Sequence, residues 1–189
     1  MTYNPIIPPF TLSFRDMPKK ELRRYFTWFM EILPSRIDEL SRIVRHTNGY
    51  ENWQPDESPE SLDLLGQWFA EQVTTQPLSE QEKKAIEEKL KFPTGLPDYK
   101  LTTITLSLTM DIGMYLSQVF MKNHPQLSWD QPFGGKRFVD YGQPVLVAFR
   151  PSPFNPVRMV VTLAYGIARH GETRDGLRDI YNIWSNLIS

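Results

Sequence analysis

The sequence contains no cysteine. This absence excludes disulfide bonds, thiolate metal sites and a cysteine nucleophile. Its three histidines, His46, His124 and His170, lie far apart in the sequence, and none has a partner at the spacing typical of metal ligands. There is also no phosphate-binding loop. We therefore predict a protein that binds neither a metal nor a cofactor.

The chain has almost no excess charge. It contains 21 Lys and Arg against 22 Asp and Glu, which gives a formal net charge of -1. Proteins that bind nucleic acid through its phosphates usually show a strong basic excess. We therefore predict that nucleic acid is not a partner.

Long apolar runs are missing as well. No stretch approaches the roughly 18 consecutive apolar residues of a membrane span. The first residues, "MTYNPIIPPFTLSF", have neither the positive region nor the unbroken apolar region of a signal peptide. These two absences predict a cytoplasmic protein that does not partner with a membrane.

What the chain does contain is typical of one globular domain. Of its 189 residues, 40% are hydrophobic and 13% aromatic, which is enough to build a core with large rings. We predict a single domain over residues 1–189 with an extended N-terminal arm over 1–17. Prolines interrupt that arm, and Phe10, Leu12 and Phe14 alternate as in an edge strand.

Apolar residues at helical spacing, together with capping residues, predict six or seven helices. Pro34 is expected to end the first helix and begin the second, while Ser58, Ser79 and Asn155 are expected to cap later ones. The predicted helices cover residues 19–33, 34–44, 58–73, 79–90, 102–123, 155–167 and 177–188. Loops are predicted over 91–99 and 169–176.

The segment from 102 to 123 is open to two interpretations. Residues 104–110 alternate as in a strand, whereas the longer window follows the helical period and is apolar nearly all round. We favour a buried central helix. Three β-rich pieces, "QLSW", "RFVDY" and "PVLVAF", predict a small antiparallel sheet over 126–149. The predicted fold is therefore α+β and predominantly α-helical, with a central buried helix and a small antiparallel sheet.

"FGGKRF", at residues 133–138, joins two glycines to two basic residues. A phosphate-binding loop needs glycines at a wider spacing and a helix directly after them. Neither is present. We therefore interpret this stretch as a glycine turn between strands, with Lys136 and Arg137 in solvent.

The distribution of charge suggests a binding surface. The segment from Thr47 to Glu82 contains acidic residues but not one Lys or Arg. Aromatic residues near such acids could anchor a partner, and the acids would steer a basic protein toward them. We predict a non-catalytic protein-binding module, similar in manner to a bacterial immunity or antitoxin-like protein. The predicted binding residues are Tyr50, Trp53, Asp56, Glu57, Glu60 and Asp63. Lys19, Lys20, Arg23 and Arg24 form an opposite, basic pole on the first helix.

Catalysis remains an alternative. Asp111 and Tyr115 are four residues apart and share a helix face, and His124 follows the end of the same helix. If these three side chains converged in a polar cleft, they could support a metal-independent hydrolase or transferase. Whether the protein is an enzyme stays open at this point.

Residues 111–161 show a partial family resemblance. "DIGMYLSQVF", "LSW", "GKRFVDYGQPVLVAF" and "FNPVRMV" resemble a family of uncharacterised bacterial cytosolic proteins with a pattern close to D-[IV]-x-M-Y-x-G-E, a later Trp, N-Q-P-V and N-P. This chain has Ser117 and Gln118 where the pattern has Gly and Glu. The resemblance implies no established activity. Its matching residues suit packing, turns and capping better than catalysis.

Overall fold

The computed structural model describes residues 2–89, 97–170 and 176–189. The predicted fold class is confirmed: the protein is α+β and predominantly helical. Its elements are α1 (Lys19–Arg45), α2 (Ser61–Gln72), β1 (Thr75–Pro77), α3 (Glu80–Lys89), β2 (Tyr99–Leu101), α4 (Thr103–Asn123), β3 (Ser128–Asp130), β4 (Val145–Val147), α5 (Pro156–His170) and α6 (Gly176–Ser185). Most of each predicted loop, over 91–99 and 169–176, lies outside the described residues.

Helix α4 is the centre of the molecule, as predicted. Thr102 begins it by accepting a hydrogen bond from the Thr105 backbone N–H, and almost every residue from 107 to 120 is buried. Helices α1, α5 and α6 all pack against it. One apolar cluster lies between α4 and the helices α2, α5 and α6, and a second lies between α4, α1 and the arm. The strand interpretation of residues 104–110 is wrong because these residues form the first turns of α4, where Ile104 and Leu106 are still exposed.

Helix α1 continues through Pro34, which the sequence analysis expected to be a boundary. A proline inside a helix removes one backbone hydrogen bond and costs about 3 kcal/mol. The apolar stripe keeps its phase across the proline, from Phe29 and Leu33 to Leu40 and Val44, and all four side chains are buried. Continuous packing of this stripe offsets the cost, and two predicted helices become one.

The N-terminal arm lies on the domain but forms no strand over residues 2–17, so the edge-strand prediction is wrong. The backbone N–H of Ile6 donates to the Ser107 side chain at 2.6 Å instead of to a neighbouring strand. Leu12 has a left-handed backbone with φ of 58°, which breaks the predicted alternation. Side-chain contacts, including the buried Ile6 and Met17, hold the arm in place.

The predicted sheet over 126–149 is present in reduced form. Strands β3 and β4 pair antiparallel with Trp129 opposite Leu146. The middle piece, "RFVDY", forms turns instead of a strand. Its Asp140 is buried, and the carboxylate accepts hydrogen bonds from Arg158 at 2.7 Å and Asn155 at 2.9 Å. Those side-chain bonds replace strand pairing.

A second antiparallel pair, β1 with β2, was not predicted from the sequence. Thr75 lies opposite Leu101, and helix α3 falls between the two strands in the chain. The predicted capping box before α3 is confirmed, because Ser79 Oγ accepts from the Glu82 N–H at 3.2 Å and Glu82 accepts from the Ser79 N–H at 2.9 Å. Helix α2 begins at Ser61, slightly later than expected, while Ser58 Oγ accepts from the Ser61 N–H.

Candidate functional site

The predicted acidic residues lie on the loop before α2 and on its first turn. Asp56 and Glu60 are exposed, whereas Glu57 and Asp63 are half-buried. The Asp56 carboxylate accepts hydrogen bonds from the Ser58 hydroxyl at 2.6 Å and the Ser58 N–H at 2.9 Å. These two bonds hold the pKa of Asp56 below its usual value. We call the surface formed by Asp56, Glu57, Glu60 and Asp63 the acidic turn.

The acidic turn is fixed to the C-terminal half of α4. The Glu57 N–H donates to the Tyr115 hydroxyl at 3.0 Å, and Asn123 Nδ2 donates to the Glu57 carbonyl at 3.0 Å. Lys122 Nζ donates to the Asp56 carbonyl at 2.6 Å. Glu57 has a left-handed backbone with φ of 59°, a conformation that L-residues rarely adopt without such support. The turn is therefore held rigidly against the buried core.

Two cations of the described residues contact the acidic turn. Arg178 lies 2.8 Å from the Glu60 carboxylate and 4.0 Å from that of Asp63, and Lys122 lies 3.7 Å from that of Glu57. Arg178 holds the pKa of Glu60 below its usual value. The pair of Lys122 and Glu57 is open to solvent, where such pairs contribute little to stability. The Arg178 side chain is only 25% exposed, whereas its partner Glu60 is 70% exposed. Two cations for four carboxylates leave the surface acidic.

Neither of these cations was predicted from the sequence. Lys122 bonds to a residue 66 positions away, and Arg178 to a residue 118 positions away. No local pattern in the sequence could have indicated either contact, because each depends on where α4 and α6 pack.

Tyr50 and Trp53 belong to the core, so their predicted role as exposed anchors is wrong. Their exposed fractions are 8% and 2%. Trp53 Nε1 donates to the Ser61 carbonyl at 2.9 Å, and its ring packs edge-on against that of Tyr115. Tyr50 donates its hydroxyl to Glu71 at 2.6 Å. Burying such large rings is favourable, and Trp53 contacts Ser61 and Tyr115 next to the acidic turn.

The three residues of the catalytic alternative have separate surroundings. Asp111 and His124 are 13 positions apart on and just after α4, which corresponds to about 20 Å along the helix axis. The Tyr115 hydroxyl bonds to Ser61 Oγ at 2.6 Å and to the Glu57 N–H, and burial raises its pKa to about 12. His124 Nε2 lies 3.2 Å from the Tyr181 hydroxyl, and burial lowers the pKa of His124. The fold does not bring these groups to one cleft.

Asp111 is the centre of a buried polar cluster. Arg36 donates to both of its carboxylate oxygens, Nε at 2.8 Å and Nη2 at 2.7 Å, and the Tyr3 hydroxyl donates at 2.6 Å. Ser107 Oγ lies 2.7 Å from the same tyrosine hydroxyl. Burial raises the pKa of Asp111, against the opposing effect of Arg36 and Tyr3. These contacts join the arm, α1 and α4, which is a structural role.

The remaining candidates add no catalytic group. Gly134 and Gly135 are exposed in the connection between β3 and β4, and Lys136 and Arg137 lie in solvent as predicted. The strand that was expected directly after the glycines is absent. Within residues 2–89, 97–170 and 176–189, no three His, Cys, Asp or Glu side chains gather closely enough to hold a metal ion. In the same ranges, no helix has the length and apolarity to cross a membrane.

Comparisons with protein-family models, with curated proteins and with solved structures find no match for this chain. The family resemblance over residues 111–161 stays a prediction. The contacts of the acidic turn are therefore the basis for the function proposed below.

Proposed function

We propose that this chain is a non-catalytic protein-binding module of the bacterial cytoplasm, which binds a basic protein partner through the acidic turn. It would act in the manner of an immunity or antitoxin-like protein. The observation that supports this proposal is the anchoring of the turn: Tyr115, Lys122 and Asn123 hold its backbone while its carboxylates face solvent.

Rigidity matters because binding otherwise has to immobilise the contact residues. A preorganised surface avoids much of that entropic cost. Grouped carboxylates on such a surface also accelerate encounter with a basic protein and disfavour acidic ones. Because Tyr50 and Trp53 are buried, the partner would recognise the carboxylates themselves rather than exposed rings.

The two cations at the acidic turn fit this proposal. Arg178 and Lys122 lie at hydrogen-bonding or ion-pairing distance from the turn, yet both pairs are accessible to water. A lysine or arginine of the partner could therefore take over Glu57 at little cost and could bind Glu60 from its exposed side. Binding would replace weak internal pairs with intermolecular ones.

The test compares two variants that lose the same number of acids. The first neutralises the turn with Asp56→Asn, Glu57→Gln, Glu60→Gln and Asp63→Asn. The control neutralises four exposed acids elsewhere with Asp16→Asn, Asp38→Asn, Glu87→Gln and Glu88→Gln. Each form is used to capture proteins from the native cell, and the captured partner is then purified and titrated.

We expect the turn variant to bind the captured partner at least about tenfold more weakly, a change of about 1.4 kcal/mol. Its salt dependence should also be shallower, while the control behaves like the parent protein. If both variants bind with unchanged affinity and salt dependence, the acidic turn is not the binding surface.

A further inference from the structure

A second charged surface lies on the N-terminal half of α1. A groove of about 510 Å³ runs along one face of this helix, and the arm forms its wall. Its lining residues are Pro9, Phe10, Lys20, Arg23, Arg24, Thr27, Trp28 and Glu31. The helical members recur at spacings of three and four, so they form a single stripe opposite the buried Leu22, Tyr25 and Phe29.

The cations of this groove have no acidic partner among the residues that the structure describes. In the part of the chain that the structure describes, no carboxylate lies within ion-pairing distance of Lys20, Arg23 or Arg24. Lys19 and Arg23 instead lie over the ring of Phe133, at 5.7 and 6.0 Å from its centre. The acidic turn has its own counterions, so the two charged surfaces differ in this respect.

The apolar wall of the groove is well ordered by packing. Phe10 stacks edge-on against Tyr25 at 5.5 Å and against Trp28 at 5.6 Å between ring centres. Tyr25 is buried, which ties both outer rings to the core. The groove therefore offers a packed aromatic surface beside three cations that pair with no carboxylate in the described residues.

We propose that this groove binds a short acidic segment of a partner protein, with carboxylates against Lys20, Arg23 and Arg24 and an apolar side chain against Phe10 and Trp28. The stripe from Lys20 to Glu31 is about 16 Å long at 1.5 Å per residue. An extended peptide rises about 3.3 Å per residue, so about five residues would fill the groove. This surface is separate from the acidic turn, and either proposal can fail alone.

An acidic peptide fits better than a nucleic acid for two reasons. The whole chain carries a formal net charge of -1, which does not attract a long polyanion. Glu31 closes one end of the groove and would repel a continuous row of phosphates. A peptide can place its acidic residues at the basic end only.

The probe is a short fluorescein-labelled peptide in which Asp and Glu residues surround a central Leu-Phe pair. Three comparison ligands are used: the same peptide with Asn and Gln for the acids, the same peptide with Ser-Ser for Leu-Phe, and an oligothymidylate of equal charge. Binding is measured by fluorescence anisotropy at low and physiological salt.

Two matched variants test whether the peptide binds in the groove. One carries Lys20→Glu, Arg23→Glu and Arg24→Glu, and the other carries Lys84→Glu, Arg150→Glu and Arg169→Glu at exposed positions away from the groove. Acidic residues near a helix N-terminus suit the helix dipole, so α1 should persist in the first variant. A variant with Gln at the three groove positions provides a second test without charge reversal.

We expect the acidic Leu-Phe peptide to bind at least about tenfold more weakly to both groove variants and normally to the control. The Ser-Ser peptide should bind about fivefold more weakly than the Leu-Phe peptide, because it cannot cover Phe10 and Trp28. Equal binding to groove and control variants, or no binding to the parent protein at low salt, would overturn the proposal. Tighter binding of oligothymidylate, lost in the same groove variants, would assign the groove to nucleic acid instead.

Discussion

Arg36 and Asp111, 75 positions apart, form two parallel hydrogen bonds of 2.8 and 2.7 Å inside the protein. The Asp111 side chain is fully buried and that of Arg36 is 11% exposed. This pair is a polar link between α1 and α4 beside their apolar contacts, and Tyr3 extends it to the arm. Its burial makes it sensitive to the loss of either partner.

Replacing Arg36 alone should be strongly destabilising. Arg36→Met leaves the buried Asp111 carboxylate without its cation, which typically costs about 3–5 kcal/mol. The double variant Arg36→Met/Asp111→Leu should recover part of that loss, because no buried charge remains. Urea unfolding measures both, with Arg24→Met on the exposed face of α1 as a control. The prediction is contradicted if the Arg36→Met variant is at least as stable as the double variant.

Gly113 allows α4 and α5 to approach closely. A Cβ atom at this position would lie 2.7 Å from the Val157 Cα, a backbone atom that cannot move without shifting α5. We expect Gly113→Ala to lower the free energy of unfolding by about 1–3 kcal/mol, although alanine favours helix. Gly166→Ala in α5 is the matched control, since nothing lies within 4 Å of its added Cβ. That variant should be stabilised by about 0.4–1 kcal/mol in thermal unfolding.

Tyr115→Phe tests whether the core holds the acidic turn in place. The change removes the acceptor of the Glu57 N–H and a partner of Ser61 Oγ, at a cost of about 1–3 kcal/mol. The Glu57 amide should then exchange its hydrogen faster. Tyr165→Phe, at a half-buried tyrosine, should change stability by less than about 0.5 kcal/mol. Unchanged exchange at Glu57 in the Tyr115 variant would show that other contacts hold the turn.

Stability should fall in acid partly through Glu82. Lys100 and Ser79 hydrogen-bond to its carboxylate and lower its pKa from 4.5 to about 2. A carboxyl group with a lowered pKa in the folded state stabilises the protein above its ordinary pKa, and this contribution is lost as the pH falls toward 2. As the pH falls from 4.5 toward 2, the melting temperature of the Glu82→Gln variant should therefore decrease less than that of the parent protein. Glu88→Gln, at an exposed position of the same helix, should follow the parent protein.

The sequence by itself determined most of the helices and the central position of α4, but not that α1 continues through Pro34. The signals for these features are local: Ser79 and Glu82 are three residues apart, and so are Asn155 and the Arg158 N–H that it caps. A helix that is apolar on all sides can only be stable when it is surrounded, so periodicity alone predicted its burial.

Only the tertiary structure decided which aromatic rings are buried and which charges meet. Trp53 lies in a polar segment just before the acidic turn, yet it packs against Tyr115 of α4. Arg178 reaches Glu60 across 118 positions, whereas Lys20 and Arg24 meet no carboxylate in the described residues. Propensity and periodicity act over a few residues, but burial and ion pairing depend on which distant segments pack together. That dependence is why the acidic turn and the α1 groove became distinct surfaces only in the folded protein.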